Sequence, residues 1–395
     1  MATRRGVLLA SGGAAAFVFG GLIYRSYQQG IIGGRLEGAF APWSAFDPHG
    51  RDGAWSLIRA AVLAVSPHNT QPWLFRIRGD SIEILADRAR NLGAFDPFRR
   101  EMQIGLGAAI ENMVIAASCQ GLKTEVDVVP GPLEADPADD LVAIADLTFG
   151  PQPAENPDPL GEAIIHRHTN RGAYDLAREI PADVVESWGE TAKAQGVDFL
   201  TFGRDPPRAE IDRLIVSSTE RIIGDPAMMA ASDRWFRLTG DEILRRRDGL
   251  IIEAQGLPPM TSAAARMLPA VSPEKAAQFW LERTREVQLP SAPLIGILKI
   301  QDRFDQAQSI AVGRVWQRIA LRAAARGIAT QPINQIPECM DRERQLKQDP
   351  KTRDALQSLI GPAEGATFFF RAGWPRGVAE LSPRRAAEEV VLRQA

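Results

Sequence analysis

Two cysteines in 395 residues leave this chain with neither a disulfide framework nor a CxxC metal or redox motif. One bridge between Cys119 and Cys339 stays open, and two separate buried thiols is the simpler reading. Histidine is scarce too, at four residues. Of the four, His166 and His168 alternate as a metal pair would, yet no third ligand lies near them in the sequence. Lysine supplies six of the 46 cationic side chains and arginine the rest, so an anion held here meets planar, bidentate guanidinium forks. A net charge of −3, with no basic run interleaved with aromatics, argues against a nucleic-acid binder, which needs a face able to neutralise several phosphates. Walker, G-x-S-x-G and HExxH motifs are absent, and Gly105-Leu106-Gly107 lacks the third small residue of a dinucleotide fingerprint. These absences count against hydrolysis and phosphoryl transfer.

What is present begins with a repeat. IGLGAAIENMVIAASCQGL (104–122) aligns without gaps on IAVGRVWQRIALRAAARGI (310–328), sharing Gly107/Gly313, Ala117/Ala323 and Gly121/Gly327 at a constant offset of 206. A duplicated core unit points to a fused pseudo-dimer with its ligand between the copies. At 45% hydrophobic, the chain can bury one large core or two ordinary ones.

The N-terminus reads as an address. Arg4-Arg5 precedes 17 uncharged residues, Val7–Ile23, rich in glycine and alanine, which resembles a twin-arginine export signal. No clean A-x-A cleavage site follows, so an uncleaved membrane anchor is a second reading. Either places the protein across or on the far side of a cytoplasmic membrane. Residues 1–30 are thus assigned to signal or anchor, and 31–50, rich in glycine and proline, to a linker.

Helical spacing over 54–65 ends at Pro67; strands are expected at 73–77 and 81–86 around a Gly79-Asp80 hairpin turn, then at 126–129 and 141–148. Four prolines in 151–159 mark the joint between a first half, 51–150, and a second, 160–395. The second half is expected to open with a helix carrying RHTNR, followed by helices over 182–194 and 208–223 flanking a strand at 197–202. Residues 227–308 read as an insertion without counterpart in the first half, either a lid or an extra helical layer. The repeated helix and a strand at 366–372 complete the unit.

Two motifs carry candidate chemistry. In Ser66-Pro67-His68-Asn69-Thr70-Gln71-Pro72-Trp73, Asn69 and Gln71 offer both donors and acceptors from a proline-stiffened loop. In Arg167-His168-Thr169-Asn170-Arg171, two guanidiniums and a hydroxyl suit a phosphate. Taken alone, the first is a turn before a strand and the second a solvated face.

Together these residues resemble the S-x-x-N-x-Q-P-W and R-x-S-x-R signatures of the FMN-dependent nitroreductase superfamily, with threonine for serine in the second. The stretch 96–112, Arg234-Trp235 and Asp248–Leu250 make the whole similar to its Acg-type FMN-binding branch. The resemblance implies an α+β nitroreductase-like fold duplicated within one chain as a fused pseudo-dimer with a lid-like insertion. It implies FMN held by Ser66, Pro67, His68, Asn69, Gln71, Arg167, Thr169 and Arg171. Arg384 and Arg385 of a basic tail join the set, and no metal or protein nucleophile is needed. The first half lacks R-x-S-x-R and the second lacks N-x-Q-P-W, so one complete site is expected per chain, functional as a monomer. The activity implied is reduction of a flat acceptor, a nitroaromatic or quinone, with NAD(P)H or a membrane quinol as donor. A flavin-sequestering protein with a closed lid, and a scaffold that has lost the flavin, are the alternatives.

Overall fold

The computed structural model describes residues 22–151 and 157–393. Arg4, Arg5, the apolar run as far as Gly21 and residues 152–156 of the proline-rich joint lie outside the described residues.

The first half runs α1 (Ala54–Ala61), β1 (Trp73–Arg78), β2 (Ser81–Asp87), α2 (Arg100–Cys119), β3 (Leu122–Val128) and β4 (Leu141–Pro151). The hairpin closes as expected, with Arg78 opposite Ser81 and Gly79 at a φ of +57° that its missing Cβ permits. The second half runs β5 (Tyr174–Asp175), α3 (Ala182–Lys193), β6 (Asp198–Phe202) and α4 (Pro206–Ile223). The insertion adds α5 (Pro226–Asp233), α6 (Gly240–Arg246), α7 (Pro259–Met267) and α8 (Pro273–Arg283). Then come β7 (Leu294–Lys299), α9 (Gln306–Ala325), β8 (Ala329–Pro332), α10 (Gln335–Gln345), α11 (Lys351–Ile360) and β9 (Ala366–Pro375).

Two antiparallel sheets share one topology. The first is ordered β1-β2-β4-β3 and the second β6-β7-β9-β8, with β5 added on the far end of β9. The duplication therefore extends to the strand order of the whole unit. Leu294–Lys299, placed inside the insertion by sequence, is a central strand and the counterpart of β2. Its sides alternate between two cores: Leu294 and Leu298 face the cluster around Trp188 and Trp316, Ile295 and Ile297 the cluster around Ile336 and Phe369. A strand buried on both faces reads as a continuous apolar run rather than an alternating one.

The halves join through α2 and α9. Helix α2 is apolar nearly all round and almost wholly buried; long and apolar enough to cross a membrane, it is instead the central core helix. At the crossing, a Cβ on Gly107 would stand 2.1 Å from the Ile310 carbonyl oxygen, and one on Gly313 2.0 Å from that of Ile104. The two contacts exchange under the 206-residue offset, as an isologous interface demands. Phe98 and Phe304, also 206 apart, pack edge to face at 4.7 Å. Cys119 and Cys339 are both free, donating to the carbonyls of Asp158 and Ser218.

Residues 31–50 are not a loose linker. Ala39 and Trp43 are buried, the Arg384 backbone N–H donates to Ala39, and the Trp43 indole donates to the Ser382 carbonyl at 2.8 Å. Burying one indole fixes a segment whose composition suggested a loop.

Candidate active site

The loop after α1 is held in an uncommon backbone. His68, Asn69 and Gln71 all have positive φ (46°, 55° and 51°), a region that costs a non-glycine residue of order 1 kcal/mol. Ser66 maintains it: its carbonyl accepts from Asn69 N–H at 3.0 Å and its hydroxyl from Gln71 N–H at 3.0 Å. Beneath, a Cβ on Gly105 of α2 would press Pro67 at 3.1 Å, so the repeated helix seats the loop.

RHTNR is extended, not helical. Arg167 has φ −79° and ψ 102°, and Thr169 bridges in parallel to Thr330 of β8. Side chains two apart share a face in extended chain, whereas on a helix they diverge. Arg167, Thr169 and Arg171 thus point into one cavity of about 40 Å³, joined by Ser66, Asn69 and Arg384. Arg371, buried beneath, fixes this segment by donating to the Asn170 and Gly172 carbonyls at 3.2 and 2.6 Å.

Six of the ten residues expected from sequence therefore line the cavity, and four do not. Pro67 lies in the turn against α2. His68 turns to Ser232 of the insertion at 2.8 Å and to the Phe95 ring. Gln71 is sealed in, donating to the Arg247 carbonyl at 2.8 Å and accepting from Arg385 N–H at 2.8 Å. The Arg385 guanidinium donates to the Gln71 and Trp73 carbonyls, bracing the back of the loop instead of facing a ligand.

Charge is the cavity's dominant property. Among the described residues, Arg167, Arg171 and Arg384 have no carboxylate partner; they donate only to the Leu63 and Ala254 carbonyls and the Asn69 side-chain oxygen. Burial lowers Arg167 and Arg171 to about 10, and lowers Arg384 well below the ordinary guanidinium value, with Arg167 adding repulsion. The Nε atoms of Arg167 and Arg384 are buried without a partner. Uncompensated buried cations with spare donors are poor for stability and well suited to a phosphate.

Over the cavity lies a strap from the insertion, residues 247–256. Asn69 donates to the Gly249 and Pro383 carbonyls at 3.1 and 2.9 Å, and Gly249 N–H donates back to the Asn69 carbonyl at 3.0 Å. Asp248, buried, is clamped between Arg90 and Arg237. Sequence reading missed this clamp, and missed Trp43, over whose ring the Arg384 guanidinium sits at 5.0 Å. The apolar cluster Ala39-Phe40-Ala41-Pro42-Trp43 within an otherwise glycine-rich stretch was the available signal for the second; no local pattern pairs Arg90 with a residue 158 positions away.

His166 and His168 form no metal site, and no group of three ligating side chains occurs among the described residues. The His168 ring instead packs on Trp43 at 4.6 Å.

The chain is similar to nitroreductase-named proteins over most of its length. A Mycobacterium tuberculosis protein provisionally named NAD(P)H nitroreductase Rv3131 is 25% identical over 345 residues, 85% of this chain and 90% of its own. Another from that organism, provisionally named NAD(P)H nitroreductase acg, is 24% identical over 353 residues, 85% and 94% respectively. Among solved structures, the FMN-dependent nitroreductase NfnB of Mycobacterium smegmatis aligns over 60% of this chain and 94% of its own. It does so at 15% identity and a TM-score of 0.33, too loose to add to the assignment. No family model matches the chain.

Proposed function

We propose that the chain is an FMN-binding oxidoreductase of nitroreductase type. The carrying observation is a set of three arginines without acids, Arg167 and Arg384 buried and Arg171 partly so, which come from two segments far apart in sequence yet face one cavity that also holds the Asn69 amide. Arg167, Arg171 and Arg384 with the Thr169 hydroxyl would hold the phosphate. Ser66 and Asn69 would meet the edge of the ring system, and the relatives' names, NAD(P)H nitroreductase, support the reaction class. The donor set fits a phosphate; a planar ring additionally requires the Gly249 and Pro383 carbonyls to yield their places on Asn69.

Bound there, FMN would supply two-electron transfer to a flat acceptor such as a nitroaromatic or quinone, with a nicotinamide as donor. The protein's part is electrostatic. A fixed donor at Asn69 would favour negative charge on the side of the ring it faces, and the strap would exclude water. A second reading, a flavin-sequestering protein with little turnover, is favoured by the strap itself, since its clamped Asp248 holds the cover shut. The twin-arginine signal and a location outside the cytoplasm remain part of this proposal.

Extraction of the purified protein's chromophore tests the cofactor: FMN at about one per chain supports it, and a colourless protein that binds no added FMN refutes it. Stopped-flow reduction by NADPH then separates the two readings, because a sequestering protein stays oxidised.

A further inference from the structure

The apolar N-terminal run does not meet the protein at a neutral place. It enters the described fold at Leu22, and the helical turn 22–28 lies beside the insertion, with the Ser26 hydroxyl 3.6 Å from the Met267 sulfur at the end of α7. The junction is fixed on its other side as well. Gly240 of α6 packs on the Gln28 and Gln29 backbone, and Arg35 ties the Gln28 carbonyl to Asp241. Around this junction the surface is apolar where a water-facing tip would be polar. Met260 is 84% exposed, Leu268 65% and Val271 63%, on a segment with prolines at 258, 259, 269 and 273. Two of the chain's three tyrosines, Tyr24 and Tyr27, are exposed at the same end, the residue type that gathers at lipid–water boundaries.

We propose that the tip of the insertion seats in the bilayer beside the N-terminal run, with Met260, Leu268 and Val271 immersed at the headgroup–acyl boundary. The occupant of this face is lipid. The uncharged run Val7–Ile23, 17 residues, would bring a membrane to within a few residues of α7, and that run alone is marginal for spanning, so a second apolar contact adds to the attachment. The tip is also coupled to the strap. Buried Arg266 of α7 grips Glu253 with two of its nitrogens, and the adjoining Ala254 carbonyl receives Arg171 of the cavity. Seating of α7 therefore sets the strap's edge toward lipid, and the acceptor class becomes a flat molecule that partitions into bilayers. This last consequence rests on the flavin reading above; the docking face does not.

The test uses the full chain with its two cysteines replaced by serine and an environment-sensitive label at Met260→Cys, Leu268→Cys, Tyr24→Cys or Leu141→Cys. The last is an exposed position on the first sheet. On phosphatidylcholine–phosphatidylglycerol vesicles carrying spin-labelled lipid, labels at 260 and 268 should be quenched several-fold more than at 141. Quenching at 24 without excess quenching at 260 and 268 overturns the proposal, a tip free in water or covered by a protein being then the finding; no quenching at any position overturns it too. Flavin content does not enter this readout, so its failure is distinct from failure of the cofactor assignment. In flavin-loaded protein, Met260→Ser with Leu268→Ser should slow turnover of a vesicle-borne quinone several-fold and leave a water-soluble one unchanged. Equal slowing of both refutes the lipid route.

Discussion

The arginine cavity and the acidic cluster at the start of α2 are both buried and both charged, and they handle charge in opposite ways. In the cluster, Asp96, Glu101, Glu338 and Asp341 meet Arg100 and Arg303. Asp341 accepts from Arg100 Nε and from Arg303 at 2.8 Å each, while Asp96 accepts from the N–H groups of Glu101 and Met102. Surplus negative charge is removed by protons. Burial, only partly opposed by Arg100, raises Asp96 to about 6 and Glu101 to about 7, and pushes Glu338 well up. Such a cluster is complete by itself. An arginine cannot shed its proton in this way near neutral pH, so the cavity's three cations wait for an outside anion. Self-compensation marks structure, and uncompensated charge of one sign marks a site.

Asp341→Asn should break the complete cluster. It strands two buried guanidiniums, and unfolding by urea should show a loss of about 3–5 kcal/mol. A loss below 1 kcal/mol would mean that the cluster is not held by its charges.

Arg167→Ala and Arg384→Ala sharpen the contrast from the other side. Each should weaken FMN binding by about 1.5–3 kcal/mol, the scale of a charged hydrogen bond, seen as a roughly 10–100-fold rise in Kd. Neither should destabilise the flavin-free protein, because each relieves repulsion between buried cations. Equal losses of stability with and without flavin would make these arginines structural.

Acid and base should pull the two regions apart. His68 and His168 are lowered to about 3, by burial first and then by neighbouring arginines, so the folded protein resists protons that the unfolded chain accepts below about 6.5. Their contribution to stability is present above pH 6.5 and is lost as pH falls toward 3. Asp96 and Glu101 are raised, so theirs is present below about pH 4 and is lost as pH rises through 6 to 7. In stability–pH profiles, His68→Asn should flatten the acid limb and Glu101→Gln the limb between pH 4.5 and 7. The same profile in all three proteins would refute both assignments.

The smallest effect lies within one loop. Asn69→Ala should shift the potential of bound FMN, because its amide faces the cavity, whereas Gln71→Ala, whose amide faces the strap and tail, should leave the potential unchanged and loosen the loop. Spectroelectrochemical titration decides this, and equal potentials in wild type and both variants would remove the loop from the ring's edge.

Local chemistry made much of this legible from sequence. The hairpin at Gly79-Asp80, the paired long helices and the turn at Ser66–Trp73 follow from short-range rules about glycine, proline and period, which act over a few residues. The repeat pointed to a pseudo-dimer, and the structure gives the reason Gly107 and Gly313 recur in it: close backbone approach leaves no room for a Cβ at either. RHTNR was found by residue type but given the wrong backbone. Its extended form comes from pairing with Thr330, more than 150 residues away.

The sequence by itself determined the duplicated α+β plan, the arginine-dominated cation set and the residues able to hold an anion. Only the tertiary structure decided which of them share a cavity. Whether a guanidinium is a ligand or a brace depends on what surrounds it: Arg384 and Arg385 are neighbours in sequence, yet one faces Arg167 without an acid while the other holds up the Gln71 backbone. Burial and partner choice are set by segments far apart in the chain, and no local pattern encodes them.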